Sequence, residues 1–316
     1  MSTVRVAVVQ AATVFYDTPA TLNVLRKYTK EAASTGAQLV LFPEAFIGGY
    51  PRELGFGAVH WRKQAEGRDE FAKYFNAAIS DDGDEAKQIG AAAKENNIWI
   101  VVGVIERGGA TLYCSVFFFN PDGNLEAKHR KVIPTCFERV LWGRGDGSTM
   151  PVLDTAIGKI GTAICWENYM PLYRVNLYSK GVQIYLAPTA DSSDEWLPSM
   201  QMIALEGRCF VVSACQYFTV NDYPEGHPIR QKENVDKVLL RGGSCVIDPL
   251  GKVLLKPDFT GPGMKTVDLD LSAIPKAKFD LDTVGHYNRP DIFQLIVDER
   301  KKNTVTNITD NNNEKQ

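Results

Sequence analysis

The same order of strand-like and helix-like patterns is written twice along this chain, and each copy closes in a hairpin. In the first copy, residues 4–11 form an apolar run that reads as a buried strand. Asp17-Thr18-Pro19 marks a helix start, with proline at an early helical position. Leu22, Leu25 and Ala32 recur at helical spacing until Gly36. Residues 38–42 read as a strand, 84–96 as a helix with Ala86, Ile89 and Ala93 on one face, and 98–105 as a strand. Two further strands, 111–119 and 125–133, flank the hairpin signal Asn120-Pro121-Asp122-Gly123. The second copy places strands at 159–165, 182–187 and 209–216. Helices fall at 171–180 and 195–207, and a hairpin at 243–255 turns on Asp248-Pro249-Leu250-Gly251. Apolar sheets and helices bury their faces in layers, so the pattern predicts an α/β fold of two packed sheets with helices outside. No linker separates the copies, and a single domain over 1–300 is expected, followed by a disordered polar tail at 301–316. Residues 51–80 and 217–238 lack a clear period. They read either as surface loops or as a pocket lid and subunit contacts.

Composition narrows the function. The 316 residues carry a net charge of −3 with no basic block, which argues against nucleic acid. No apolar run approaches ~18 residues, so no membrane span is expected. Met1-Ser2-Thr3-Val4-Arg5 enters the strand pattern directly and lacks a signal-peptide pattern. Six cysteines without disulfide or zinc spacing fit a reducing, cytoplasmic setting. The Asn307-Ile308-Thr309 sequon would stay unused there. Four scattered histidines make no ligand motif, so neither a metal nor a cofactor is expected. Gly143-x-Gly145-x-Gly147 lacks the following lysine and the strand-to-helix context of a phosphate loop, so no nucleotide is expected.

Three apolar runs end in reactive side chains. Residues 38–42 lead to Glu44, 125–130 to Lys131, and 160–164 to Cys165. A thiol at a sharp turn between strand and helix projects into a crevice, beside backbone N–H groups. If the three strands are parallel neighbours, the side chains converge. Each also has a plain reading: Cys165 as a small core residue, Glu44 as a helix cap, Lys131 as part of a solvated basic strand. No histidine is placed to act as base for the thiol.

Phe42-Pro43-Glu44, Lys128-His129-Arg130-Lys131 and Cys165-Trp166-Glu167-Asn168 resemble the three signatures of the nitrilase superfamily. The stretches 138–148, beginning Glu138-Arg139-Val140-Leu141-Trp142-Gly143, and 285–291 resemble its nitrilase branch. The resemblance covers about Val4 to Arg300. It implies a four-layer α-β-β-α sandwich with Cys165 as nucleophile, Glu44 as general base, Lys131 as the cation and Glu138 as a second glutamate. A carboxylate can serve as the base when partial burial raises its pKa toward that of a thiol. Lys131 is expected to favour thiolate and to oppose charge developing on the substrate.

The chemistry so implied is attack of Cys165 on a nitrile carbon, giving acid and ammonia with amide as a possible by-product. An amidase or carbamoylase, or a cyanide hydratase of the same superfamily, stays open as an alternative, and a non-catalytic scaffold as a distant one. Tyr50, Trp166, Glu167, Thr189 and Trp196 are the candidates for substrate contact, though Trp166 also reads as a packing residue, Tyr50 as a turn aromatic and Glu167 as a helix-start residue. Cys136 falls between Lys131 and Glu138 and is expected near the site. The stretches 187–197 and 47–52 resemble plant-type nitrilases, including those acting on β-cyano-L-alanine; arylaliphatic nitriles are the other expected class. The resemblance also implies homodimers that stack into spirals.

Overall fold

The computed structural model describes residues 3–59, 62–303 and 305. His60, Trp61, the sequon and most of the expected tail lie outside them. The first half runs β1 (Thr3–Gln10), α1 (Thr18–Ser34), β2 (Leu39–Leu41), the short pair β3 (Ala58–Val59) and β4 (Arg62–Lys63), then α2 (Ala65–Ala77) and α3 (Asp84–Asn96). It ends with β5 (Trp99–Gly108), β6 (Thr111–Phe119), β7 (Leu125–Arg130) and the single turn α4 (Glu138–Leu141). The second half runs β8 (Val152–Thr155), β9 (Gly158–Thr162), a 3-10 turn (Cys165–Tyr169), α5 (Pro171–Ser179), β10 (Ile184–Thr189), α6 (Trp196–Gly207) and β11 (Phe210–Cys215). Then follow β12 (Tyr217–Thr219), α7 (Pro228–Lys232), β13 (Val238–Arg241), β14 (Cys245–Ile247), β15 (Val253–Leu255), β16 (Gly263–Asp270) and α8 (Ala273–Asp280).

Two six-stranded sheets result, in the orders β16-β1-β2-β5-β6-β7 and β15-β14-β11-β10-β9-β8. Each has a parallel centre, β1-β2-β5 and β9-β10-β11. Strand alternation decides the layering. Val4, Val6 and Val8 of β1 face Ile184 and Leu186 of β10 in one core between the sheets. Ala7 and Val9 point the other way, onto Leu22 and Leu25 of α1 and Ile89 of α3. Tyr185 and Ala187 point outward onto Leu177 of α5 and Met200 of α6. The outcome is the expected α-β-β-α sandwich.

Local signals account for the element ends. Asp17 caps α1, its Oδ1 accepting from Ala20 N at 2.8 Å. The β6–β7 turn is closed by Asn120, whose Oδ1 accepts from Asp122 N and Asn124 N. Several elements were not expected. α2, β3 and β4 lie within 51–80, and β16 pairs antiparallel with β1 over the whole length of both. The segment 217–238 is likewise structured, as β12, α7 and the start of β13. These two irregular stretches pack on each other: His227 Nε2 lies 2.9 Å from Glu70 Oε1, and Tyr223 OH donates to Arg52 O at 2.7 Å.

Candidate active site

The strands leading to Glu44, Lys131 and Cys165 are not parallel neighbours, the condition named above for their side chains to converge. β2 and β7 run the same way but β5 and β6 lie between them, and β9 belongs to the other sheet. Glu44 reaches the site because the chain leaving β2 continues along β5. Phe42 N donates to Val101 O at 2.8 Å and Ile47 N to Gly103 O at 3.1 Å. Gly103 makes this crossing possible, since a Cβ there would sit 2.2 Å from Pro43 O and 2.6 Å from Glu44 Cα. Lys131 leaves the edge strand β7 with its N–H on Cys114 O of β6, at 2.8 Å. Glu44 and Lys131 therefore meet over Cys114, whose thiol donates to Glu44 Oε1 at 3.5 Å.

The Lys131 ammonium donates to Glu44 Oε1 at 2.7 Å and to Glu138 Oε2 at 2.8 Å, all three side chains being enclosed. Glu138 is held from two further sides: Tyr50 OH donates to its Oε1 at 2.8 Å, and Thr135 N to its Oε2 at 2.6 Å. The Lys131 ammonium also lies 5.7 Å from the Trp142 ring centre. Glu44 Oε2 is buried without a hydrogen-bond partner. An unpaired carboxylate oxygen in such a place is costly unless it has a proton to take or give.

Cys165 begins the 3-10 turn at φ 51°, left-handed backbone that a non-glycine residue adopts at a cost. Ala45, after Glu44, and Cys136, between Lys131 and Glu138, share this conformation at φ 49° each. The turn is pinned by Asn168, whose Nδ2 donates to Ala163 O at 3.0 Å and Cys165 O at 2.7 Å.

Charge states follow from burial. Burial raises the Glu44 carboxyl above its ordinary value, and Lys131 only partly offsets this. Burial works against the Lys131 ammonium, yet Glu44, Cys165 and Glu138 together hold its pKa well above the usual value. Burial and then Glu44 raise the Cys165 thiol, outweighing Lys131. Lys131 does favour the thiolate, as expected, but burial and Glu44 outweigh it, so a proton acceptor is needed to activate the sulfur.

Above Cys165 opens a cleft of about 1260 Å³, lined among others by Tyr50, Glu138, Trp166, Tyr169, Asp191 and Arg241. Cys136, Arg52 and Glu53 also line it. Of the expected substrate contacts, Tyr50 and Trp166 face the cleft. Trp166 is half exposed, with its indole N–H on Asp191 Oδ2 at 2.8 Å. Thr189 is buried beside the thiol. Two expectations need correction. Trp196 is enclosed in the core under Tyr169, its indole N–H committed to Ser213 Oγ at 2.9 Å. Glu167 is fully buried, because a carboxylate at the third position of the turn reaches back to the Ile164 N–H, at 2.7 Å. Sequence reasoning missed Cys114 and the enclosed Trp142. The former carried no signal; the latter was visible only as part of the Glu138–Gly143 stretch.

Fold and side chains define a class: a layered α/β sandwich with a buried thiol set over a carboxylate–ammonium–carboxylate cluster. The Carbon-nitrogen hydrolase family pattern matches residues 5–279. Nitrilase 1 of Arabidopsis thaliana is 52% identical over 315 residues, 98% of this chain and 90% of that protein. An aliphatic nitrilase of Sinorhizobium fredii is 51% identical, over 96% of this chain and 99% of that protein. A bifunctional nitrilase/nitrile hydratase of Lupinus angustifolius is 52% identical, over 96% and 88%. Among solved structures, the C. elegans NitFhit protein superposes with a TM-score of 0.75 at 20% identity, over 96% of this chain and 69% of that chain. The chain belongs to the carbon-nitrogen hydrolase family, in its nitrilase branch.

The dependence on Gly103 is testable. Gly103→Ala pushes the Pro43–Glu44 backbone away from β5. Misplacement on the ångström scale costs roughly 100-fold in kcat/KM. Steady-state kinetics with a parallel melting curve checks this, and unchanged kinetics would contradict the crossing described above.

Proposed function

We propose that this protein hydrolyses an organic nitrile to the carboxylic acid and ammonia, and releases some amide. The observation that carries the reading is the enclosed Glu44–Lys131–Glu138 cluster behind Cys165 at the cleft floor. Glu44 takes the Cys165 proton as sulfur bonds to the nitrile carbon. The proton passes to the nitrile nitrogen, giving a thioimidate, while Lys131 and the backbone N–H of Trp166 stabilise the charge building there. Water adds to this carbon, losing a proton to Glu44. When the nitrogen is protonated it leaves as ammonia, and the resulting thioester is cleaved by a second water to acid and free thiol. When sulfur leaves instead, regaining its proton, the product is the amide. The two-activity name of the Lupinus angustifolius relative fits this branch point.

Glu44→Gln removes the acceptor and keeps the shape. Loss of a general base lowers kcat by about 10²–10⁴-fold. Ammonia release measured on the variant tests this, and a loss under threefold would remove Glu44 from the role.

The cleft wall mixes aromatic rings (Trp166, Tyr169) with both charges (Arg52 and Arg241, Glu53 and Asp191). That fits either a zwitterionic nitrile such as β-cyano-L-alanine or an arylaliphatic one. Initial rates on β-cyano-L-alanine, 3-phenylpropionitrile and fumaronitrile decide between them. No turnover of β-cyano-L-alanine would eliminate the first.

Assembly is part of the same reading. Trp166, Tyr169, Leu172 and Met202 place exposed apolar surface along the 3-10 turn, α5 and α6, which supports pairing with a second copy. A monomer in light scattering would contradict it. All six cysteines are free and no helix of the described residues is long and apolar enough to cross a membrane. For such a chain we propose the cytoplasm. Both halves contribute to the inter-sheet core, which supports a single hydrolase domain over residues 1–300.

A further inference from the structure

The mechanism above leaves one fully buried ionisable pair unused. His129 on β7 and Glu167 in the 3-10 turn lie behind the site, with no exposed surface on either side chain. Glu167 Oε1 accepts the Val132 N–H at 2.6 Å, and Oε2 accepts the Ile164 N–H at 2.7 Å. Val132 follows Lys131 and Ile164 precedes Cys165. One carboxylate therefore ties the lysine segment, which leaves the first sheet, to the nucleophile segment, which leaves the second.

The pair also shares a proton that its surroundings require. His129 Nδ1 lies 2.6 Å from Thr149 O, so this nitrogen must donate. His129 Nε2 faces Glu167 Oε2 at 2.9 Å and the Tyr173 oxygen at 3.2 Å. Tyr173 gives its own proton to Thr162 O, at 2.9 Å. A neutral imidazole beside an ionised carboxylate leaves Nε2 and Oε2 as two acceptors face to face. One proton sits between them, and it aims Oε2 at His129 while both oxygens keep their backbone N–H groups.

We infer that Glu167, oriented by His129, is a positioning residue that sets where Cys165 stands relative to Lys131. It touches no substrate; it fixes a distance across the sheet interface. This inference rests on the nitrilase reading, since it assigns the pair to that site's geometry.

Glu167→Gln tests it sharply because an amide offers one acceptor where two are used. If its oxygen takes the Val132 N–H, its amino group faces His129 and the Ile164 N–H. If the amide flips, the amino group faces the Val132 N–H. In both cases one tie meets a donor and is lost. The nucleophile and the lysine then drift apart, and the leaving nitrogen is less well protonated. Sulfur is expelled more often, and the amide share rises.

The experiment compares wild type, Glu167→Gln and His129→Gln on one nitrile. It measures kcat and KM per active site, the acid-to-amide ratio and the melting temperature. The expected result for Glu167→Gln is kcat lower by roughly 100-fold, KM within about threefold, and a severalfold larger amide share in folded protein. His129→Gln shifts both readouts the same way, about tenfold in kcat. Wild-type kcat and product ratio in Glu167→Gln would overturn the inference. So would a loss of kcat with the ratio unchanged, which is what a merely structural role gives. If Glu167→Gln does not fold, His129→Gln decides by the same criteria. Failure of the underlying reading shows separately, as undiminished ammonia release by Cys165→Ala.

Discussion

Cys165→Ala lowers ammonia release from a nitrile by roughly 10⁵-fold or more, with little change in melting temperature. Loss of a nucleophile that works together with its base removes most of the catalysis at once, because direct addition of water must replace the covalent route. The fold tolerates the change. Alanine takes the same left-handed backbone at φ 51° with the same strain, and Asn168 holds the turn through backbone carbonyls that the substitution leaves in place. Cys165→Ser does not restore the rate. Its hydroxyl occupies the same place, but it is a weaker nucleophile that Glu44 is poorly matched to deprotonate. Ammonia assay and melting curve on both variants check this. Release within tenfold of wild type by Cys165→Ala would contradict it.

The second large effect is on Lys131→Met, which loses both activity and stability. Lys131 is the one cation between two buried carboxylates, Glu44 at 2.7 Å and Glu138 at 2.8 Å. Removing it leaves two buried like charges without the cation they share. Breaking a buried pair from one side costs about 3–5 kcal/mol, on the order of 10 °C in melting temperature for a domain of this size. The sign with pH follows. Without the ammonium, Glu44 rises further, because the charge that partly offset its burial is gone. Protonation relieves the repulsion, so the variant is relatively less unstable at lower pH and loses stability as pH rises. Activity falls by a similar argument to the base, since charge on the nitrile nitrogen then has no cation to meet it. A melting temperature equal to wild type across pH 5–8 would refute this account of the cluster.

Much of the scaffold was legible because its elements follow one period each. The helix over Asp84–Asn96 carries Ala86, Ile89 and Ala93 inward as read, and β6 spans Thr111–Phe119 as read. α2 was not legible. Only Gly67, Tyr74 and Ala77 of its thirteen residues are buried, too few for a helical stripe. It also spends a first-turn position on Gly67, where a Cβ would sit 2.0 Å from Phe56 O. β16 was missed because it is an edge strand with only Leu269 fully buried, so pairing with β1 rather than its own pattern makes it a strand.

The site divides the same way. Glu44, Lys131, Glu138 and Cys165 stand in motifs, and the structure brings them together. The route that does so, across β5 past Gly103, is tertiary and leaves no local mark. The run Lys128-His129-Arg130-Lys131 looked like one basic strand, but the pleat sorts it. Lys128 and Arg130 both pair with Glu106, while His129 points inward to Glu167. Glu167 and Trp196 were candidates for substrate contact because sequence places them near the nucleophile without saying which way the turn faces; for Glu167 the helix-start role left open above is the one the structure shows.

The central claim is that Cys165 forms a bond to the substrate carbon. Its most direct test is acid quench of the wild-type enzyme during turnover of a nitrile, followed by intact-mass and peptide analysis. The account predicts a thioimidate or thioester adduct on the Cys165 peptide, absent in Cys165→Ala. Turnover with no adduct, or an adduct on the exposed Cys136 that persists in Cys165→Ala along with ammonia release, would contradict it.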